Sequence, residues 1–295
     1  MKDFIIYTDS TSDLSKELRQ QYDIRYIPMN YVVDDTEYVA SLDWESHCVH
    51  DFYDLMRNGK RVFTTQVPRN LYEDAFKAAV DEGKDVLYIS CSSALSGSVN
   101  TAMLVAEEMK AENPDAGIYC VDSLISSLGQ GYLVMEASRL RSAGKSAEET
   151  AKHIENIRLC MNQCGTVASM EYLKRAGRIT ASKAFFGNLF GVKPIIISDR
   201  KGQNYAYKKV KGTAAARQAI AEHIRDAADG NFETLYITHA DCQEDAEALR
   251  DIILGIAPFK NVVMGTIGPI VGASVGPGTL IAFCFGKEVM IEGNE

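Results

Sequence analysis

Small hydroxyl side chains are concentrated in two short segments of the chain. The segments are FTTQVPRN, residues 63–70, and CSSALSGSVNTA, residues 91–102, and apolar runs flank both. Thr64, Thr65 and Gln66 lie between two helical patterns, the second of which starts at Pro68. Three neutral donors in a row suit a carboxylate or a phosphate better than a metal ion. The segment therefore indicates either a helix-capping loop or an anion site.

The second segment has the features of an anion cradle. Ser96, Gly97 and Ser98 follow a strand pattern and open a helical pattern. The first turn of a helix has free N–H groups and a partial positive charge. Gly97 has no side chain, so the backbone can approach a ligand closely. Ser96 then either caps the helix or donates to a bound anion. Neither GxxxxGK[ST] nor GxGxxG is present.

Three aspartates follow strand patterns and raise the question of a metal. They are Asp9 and Asp13 in TDSTSDL, and Asp122 after the third strand pattern. Hard metal ions usually take more oxygen ligands than these provide. We therefore favour the interpretation that Asp13 or Ser12 caps a helix over 13–21, while Asp9 braces the neighbouring turns. We predict no metal site. With no Ser-His-Asp order, HExxH or GxSxG in the chain, we also predict no catalytic residue.

Composition limits the class of protein. The chain has 295 residues, of which 46% are hydrophobic and 24% charged, with a formal net charge of -9. An acidic protein is a poor general binder of nucleic acid or of anionic membranes. No window reaches the roughly 18 uncharged apolar residues of a membrane span, and the first residues lack the apolar length of a secretory signal. Seven scattered cysteines argue against a disulfide framework. We expect a cytoplasmic protein without an integral membrane segment.

Strand and helix patterns alternate in the first half of the chain. Strand patterns cover 3–10, 85–91 and 116–123, and helical patterns follow the second and third. This order is typical of βαβ units, so we predict a mostly parallel, three-layer α/β domain over residues 1–162. Residues 20–60 interrupt it as an inserted hairpin and helix, with the hairpin turn at Asp34-Asp35. Ligands of such sheets bind at the carboxyl ends of the strands, where residues 91–102 lie.

The second half has a different pattern. Six strand patterns accompany two helical patterns, which predicts an α+β domain with a mixed sheet over residues 163–295. The most apolar irregular stretch is residues 183–198. Its side chains either pack in the core or line a cavity, and the candidates are Phe185, Phe186, Leu189, Phe190 and Val192.

Six segments together resemble the DegV family of bacterial fatty-acid-binding proteins. They are, in order, TDSTSDL, TTQ (64–66), SSALSGSVNTA, LKRAGRI (173–179), KPI (193–195) and IGPIVGASVGPGTLIAF. The resemblance spans nearly the whole chain. It implies a two-domain α/β protein that needs no cofactor, buries one long-chain fatty acid and holds the carboxylate at the domain junction.

The resemblance also implies particular site residues. Thr64 and Ser96 correspond to the head-group hydroxyls of the family, and Thr65 stands in for the second serine of its TSQ-type triplet. The family has a histidine before GPG, whereas this chain has Ser274, which can still donate a hydrogen bond. We expect the ligand to contact Thr64, Thr65, Ser96, Gly97 and Ser274. The partner protein that the resemblance implies is a fatty acid kinase, which phosphorylates the presented carboxylate.

A metal-dependent phosphoryl-transfer or phosphosugar enzyme is the alternative hypothesis. It would use the Ser96-Gly97 turn for phosphate and Asp9 or Asp122 for the metal.

Overall fold

Helices and strands alternate through most of the computed structural model, which describes residues 2–181, 185 and 191–293. The strands are, in chain order, β1 (Phe4–Asp9), β2 (Ile24–Ile27), β3 (Asn30–Val33), β4 (Thr36–Val39), β5 (Val62–Thr65), β6 (Asp85–Ser90), β7 (Ile118–Asp122), β8 (Met161–Thr166), β9 (Val192–Ser198), β10 (Asn204–Lys211), β11 (Thr234–His239), β12 (Asn261–Thr266) and β13 (Leu280–Phe285). The helices are α1 (Lys16–Gln21), α2 (Val49–Arg57), α3 (Arg69–Asp81), α4 (Ser98–Glu112), α5 (Ser127–Ser142), α6 (Ala147–Ile157), α7 (Met170–Ala176), α8 (Gly212–Ala228), α9 (Gln243–Ile256) and α10 (Pro269–Val275). Within the described ranges, no helix has the length and apolar character that crossing a membrane requires.

The first sheet is parallel and has the order β2-β1-β6-β7. Every residue of β1 is buried, as expected for a parallel strand with helices on both faces. Helices α3 and α4 pack together on one face, and α5 and α6 pack together on the other. The carboxyl ends of β1, β6 and β7 therefore meet at one edge, where the turns after Asp9, Ser90 and Asp122 lie together.

The second sheet is mixed and has the order β10-β9-β8-β13-β11-β12. Only β11 and β12 are parallel neighbours, and the other pairs are antiparallel. Helices α8 and α9 cover its outer face. In α9 the buried residues Ala246, Leu249 and Ile253 recur at helical spacing, so one apolar stripe faces the sheet.

Helix α5 lies between the two sheets. It packs against β1, β2 and β6 of the first sheet and against β8, β11 and β13 of the second. Ten of its residues are buried, as expected for a helix with neighbours on several sides. A side chain at Gly129 would come within 3.0 Å of Phe283 on β13, and one at Gly131 within 3.0 Å of the Ser12 carbonyl. The two glycines therefore permit the close approach of α5 to both parts of the chain.

A small antiparallel sheet, β4-β3-β5, and helix α2 form the insertion. The β3–β4 turn contains Asp34 and Asp35, both with positive φ angles. Tyr53 on α2 is fully buried, and its hydroxyl donates to the Ile267 carbonyl at 2.7 Å. A Cβ at Gly272 on α10 would lie 2.5 Å from that hydroxyl. The insertion is thus fitted closely against the segment that leads from β12 into α10.

The predicted fold class is confirmed: a mostly parallel α/β sheet with an insertion, followed by a mixed sheet. The Asp34-Asp35 turn is confirmed as well. The second sheet begins at Met161, and the division of the chain at residue 162 stays a prediction. In the apolar stretch 183–198, Phe186, Leu189 and Phe190 lie outside the described residues, whereas Phe185 is buried and Val192 opens β9.

Four local predictions are wrong. Residues 24–27 form β2 of the parallel sheet and not the first arm of a hairpin. Thr64 and Thr65 lie on β5 and not in a loop between helices, because their extended backbone pairs with β3. Helix α1 starts at Lys16, where the Ser15 hydroxyl caps it, so neither Ser12 nor Asp13 does. Helices α7 and α10 are absent from the prediction, because each has only seven residues.

The hydrogen bond from Tyr53 to the Ile267 carbonyl can be tested by removing the hydroxyl oxygen of Tyr53. We expect Tyr53→Phe to lower the free energy of unfolding by about 1–3 kcal/mol, because the buried Ile267 carbonyl loses its donor. Urea unfolding followed by circular dichroism measures the change. Tyr207→Phe is the control, since Tyr207 is 44% exposed. Equal stability of the two variants would show that the Tyr53 hydroxyl does not hold the insertion in place.

Candidate functional site

A pocket of about 80 Å³ lies where the insertion, the edge of the first sheet and the second half of the chain meet. Hydroxyl groups and short apolar side chains alternate around it. Its six hydroxyl residues are Thr11, Thr64, Thr65, Ser96, Ser126 and Ser274. Its aliphatic residues are Met29, Leu95, Ile270, Val271 and Val275. The pocket thus combines a polar end with an apolar wall.

The strand β5 places the threonines. Thr64 pairs with Tyr31 on β3 and is half-buried, with its side chain on the same face as the buried Val62. No described residue makes a hydrogen bond with the Thr64 hydroxyl. The Thr65 hydroxyl is 3.5 Å from the Asn30 carbonyl, at the limit of hydrogen bonding. Thr64 is therefore the threonine whose hydroxyl is free to bind a ligand.

The start of α4 places Ser96. Its hydroxyl accepts from the Ser98 N–H at 3.2 Å and donates to the Ser98 hydroxyl at 3.0 Å. Gly97 is the N-cap residue and does not line the pocket. A Cβ at Gly97 would lie 2.9 Å from the Gln66 amide nitrogen, so the glycine makes room for Gln66, which does line the pocket. Gly97 thus leaves room for the neighbouring Gln66 side chain, and its contact with a ligand stays a prediction.

The electrostatics of the pocket favour an anion. The N-cap residue of α5, Ser126, lines the pocket, and α4 begins two residues after the lining residue Ser96, so the N-termini of both helices contribute partial positive charge near the pocket. The Arg178 guanidinium donates to the carbonyls of Leu95, at 2.8 Å, and Ala176. In the part of the chain that the structure describes, no carboxylate forms an ion pair with Arg178. The site therefore offers a full positive charge in addition to neutral donors.

Ser274 lies at the mouth of the pocket. It is on α10, and no hydrogen bond to its hydroxyl occurs among residues 2–181, 185 and 191–293. Together with Thr64 and Arg178 it also lines an adjoining cleft of about 150 Å³, which contains Arg175. Ser274 thus lines both the pocket and the adjoining cleft.

A buried polar network supports the wall of the pocket. The fully buried Asp9 accepts hydrogen bonds from Tyr88 at 2.8 Å, Ser90 at 3.2 Å and Gln130 at 3.2 Å, as well as from the backbone and hydroxyl of Thr11. These donors satisfy the carboxylate without a cation. The network fixes Thr11, which lines the pocket, against the first sheet.

The aspartates do not gather around a common point. Asp122 accepts from the backbone N–H groups of Ser93, at 3.1 Å, and Leu124, at 3.0 Å. Asp13 bonds Ser127 and Gly268. Among the described residues, no cluster of three or more His, Cys, Asp or Glu side chains could hold a metal ion.

Sequence reasoning does not assign four of the polar lining residues, which are Thr11, Ser126, Arg178 and Asn204. Arg178 belongs to the LKRAGRI segment. The sequence therefore identifies the motif but does not indicate that its arginine lines the pocket. Asn204 on β10 donates to the Arg178 carbonyl at 3.1 Å and accepts from Gln163 at 3.1 Å. No sequence signal marks Asn204, because its place in the site depends on how β10 pairs with β9.

Comparison with known proteins gives one family. A family model described as an uncharacterised protein of the DegV family matches residues 3–287. A DegV domain-containing protein of Clostridium perfringens is 35% identical over 287 residues, which is 97% of this chain and 98% of that protein.

Two solved structures share the fold. One, described as fatty acid binding of a DegV family protein from Thermus thermophilus, has a TM-score of 0.88 and 28% identity and covers 97% of this chain and 100% of its own. The other is described as DegV, a fatty acid binding protein from Bacillus subtilis. It has a TM-score of 0.83 and 25% identity, with 97% of this chain and 100% of that chain covered. None of these four similarities supports the alternative hypothesis of a phosphoryl-transfer or phosphosugar enzyme.

The Cys91 thiol lies in the pocket wall, and its reactivity tests whether this wall is shielded from solvent. Burial, with a smaller contribution from Asp9, raises the pKa of Cys91 well above that of a free thiol. Since the thiolate is the reactive form, we expect iodoacetamide at about pH 8 to spare Cys91 in the folded protein and to alkylate the exposed Cys48. Peptide mass spectrometry measures both sites, and urea should make them equally reactive. Equal alkylation of both in the folded protein would contradict the burial of Cys91.

Proposed function

The chain belongs to the DegV family, and we propose that it binds a long-chain fatty acid with its carboxylate in the pocket between Thr64, Ser96 and Ser274. One observation carries the proposal. Within the described part of the chain, the same pocket contains hydroxyls without protein partners, an arginine without a carboxylate, and an aliphatic wall. A ligand that satisfies all three has an anionic end and an apolar chain. The solved structures of related DegV proteins that are described as fatty acid binding agree with this chemistry.

Neutral donors solve a specific energetic problem. A carboxylate that leaves water without hydrogen bonds costs several kcal/mol or more. Hydrogen bonds to a charged oxygen are each worth about 1.5–3 kcal/mol. Thr64, Ser274 and the two helix N-termini can supply several of these bonds. They do so without a buried lysine, whose long side chain would fill the space that the ligand needs.

The apolar chain extends in our proposal toward the second sheet. A second cavity of about 20 Å³ shares Asn204 and Val275 with the pocket and is otherwise lined mainly by apolar residues such as Leu173, Ile196 and Ile281. Each buried methylene contributes about 0.8 kcal/mol, so about fourteen methylenes contribute on the order of 10 kcal/mol gross. The pocket volume of about 80 Å³ suits a head group, so acyl binding must displace side chains along this path.

The mouth of the pocket suits presentation of the carboxylate to another protein. Thr64, Arg178 and Ser274 face the adjoining cleft of about 150 Å³, where Arg175 adds a second positive charge. A phosphoryl group that arrives there meets two guanidinium groups. We therefore include a separate fatty acid kinase as the proposed partner, with this chain as a lipid-binding subunit and not an enzyme.

Bound lipid provides the direct test of the function. We expect protein expressed in bacteria to carry fatty acid at close to one molecule per chain, because the gross burial energy resists loss during purification. Native mass spectrometry followed by denaturing extraction identifies the ligand. Delipidated protein should then take up added palmitate or oleate. The absence of both co-purified lipid and uptake would refute the proposal.

The head-group assignment predicts a difference between two ligands. We expect the double variant Thr64→Ala, Ser96→Ala to weaken binding of a fatty acid more than binding of the matching fatty alcohol. The reason is that a bond from the Thr64 hydroxyl, or from the Ser96 hydroxyl once it turns from Ser98 to the ligand, is worth about 1.5–3 kcal/mol to a charged oxygen and about 1 kcal/mol to a neutral one. Titration calorimetry measures both affinities. Thr36→Ala, in the exposed β3–β4 turn region, is the matched control. Equal losses for acid and alcohol would show that these hydroxyls do not hold the head group.

A further inference from the structure

A single buried carboxylate connects three elements near the pocket. Asp13 is 6% exposed, and its two oxygens are bonded to different partners. One oxygen accepts from the Gly268 N–H at 2.9 Å, and the other accepts from the Ser127 hydroxyl at 2.5 Å. The Ser127 oxygen also lies 3.2 Å from the hydroxyl oxygen of Thr238 on β11, which can donate to it while the Ser127 proton is on the bond to Asp13. Asp13 therefore links the turn after β1 to α5, to β11 and to the residue that precedes α10.

The partners of Asp13 belong to elements that line the pocket. Gly268 is the N-cap residue of α10, and this helix contributes Ile270, Val271, Ser274 and Val275 to the wall. Ser127 follows the lining residue Ser126 at the start of α5. A Cβ at Gly268 would lie 2.7 Å from the Asp13 oxygen, so the contact is close as well as bonded. A displacement at Asp13 would therefore be transmitted to two walls of the pocket.

The surroundings of Asp13 contain no compensating cation among the described residues. Another carboxylate, Asp9, disfavours a charge on Asp13. Burial is the main cause of the raised pKa of Tyr53 on α2, and the negative charge of Asp13 raises this pKa further. His239 ends the neighbouring strand β11, and burial lowers its pKa. Farther out, an ion-paired cluster joins α2 to the loop after β11 and comprises His50, Asp54, Arg57 and Asp241.

We propose that Asp13 is a positioning residue for the head-group pocket, and that loss of its proton loosens the start of α10 and speeds release of the bound fatty acid. This inference rests on the proposed function. It adds to it a pH-dependent release step that is controlled from outside the pocket.

The direction of the effect follows from the environment of Asp13. Burial raises its pKa from 3.8 to about 7. A neutral Asp13 donates to Ser127 and still accepts from Gly268, so both contacts persist below pH 7. Above that pH the ionised group is buried beside Asp9. A state in which α10 withdraws and water reaches Asp13 restores the ordinary pKa of 3.8. This state gains about tenfold in population for each pH unit between the two pKa values, and the gain levels off above about pH 7, where Asp13 is ionised in both states.

The experiment measures release of a fluorescent long-chain fatty acid from the full chain after mixing with excess unlabelled ligand, between about pH 6 and about pH 8.5. A fatty acid carboxyl in water is ionised throughout this range. We expect the release rate of the natural chain to rise up to about tenfold from the lower to the upper pH, with most of the rise below about pH 7 and a plateau above it. We expect Asp13→Asn to release slowly and with little pH dependence. Asparagine keeps an acceptor for Gly268, has no charge, and tolerates the φ angle of 51° found at this position.

Two further variants separate the outcomes. Asp34→Asn changes an exposed aspartate with a similar φ of 48° and should keep the natural pH profile. Ser127→Ala removes a bond that lowers the pKa of Asp13 in the closed state, so the release rate should reach its plateau at a higher pH. Identical profiles for the natural chain and Asp13→Asn would overturn the inference while fatty acid binding stands. If neither the natural chain nor any of the variants binds fatty acid, the proposed function is refuted, and the inference is refuted with it.

Discussion

The close packing of α5 between the two sheets is the contact on which the rest of the structure depends. Gly129 and Gly131 lack the side chains that would hold the helix away from β13 and from the turn after β1. Gln130, between them, reaches the buried Asp9. The start of the same helix provides Ser126 to the pocket and Ser127 to Asp13. The pocket exists because one helix brings two sheet edges to the same place.

The site combines neutral donors with charges that are kept apart from one another. Asp9 and Asp13 are buried behind the pocket, each satisfied by hydrogen bonds from neutral groups. Arg178 lies on the opposite, solvent-facing side and is oriented by two carbonyls. An anionic ligand between them is attracted toward the mouth and is hydrogen-bonded from within. In our proposal this arrangement holds the carboxylate of the fatty acid and leaves one side of it accessible.

Much of the fold and part of the site can be predicted from the sequence. The uninterrupted apolar runs at β1 and β6 are typical of parallel strands, and the Asp34-Asp35 pair is typical of a tight turn. Motif resemblance indicates Thr64, Ser96 and Ser274, and the pocket contains all three. The strand at Thr64 escapes prediction because four residues give too short a pattern. The role of Asp13 escapes it because the partner Gly268 is 255 positions away, and local reasoning cannot see such a contact.

The position of α5 has a consequence for synthesis on the ribosome. Its inner side is covered as soon as β1, β2 and β6 have emerged, because all three precede it in the chain. Its outer side has to wait for β11 and β13, which are translated long afterwards. During that interval the nascent chain displays an apolar helical surface without its eventual neighbour. Chaperone capture at this stage, and the pace of elongation, therefore bear on the yield of the finished protein.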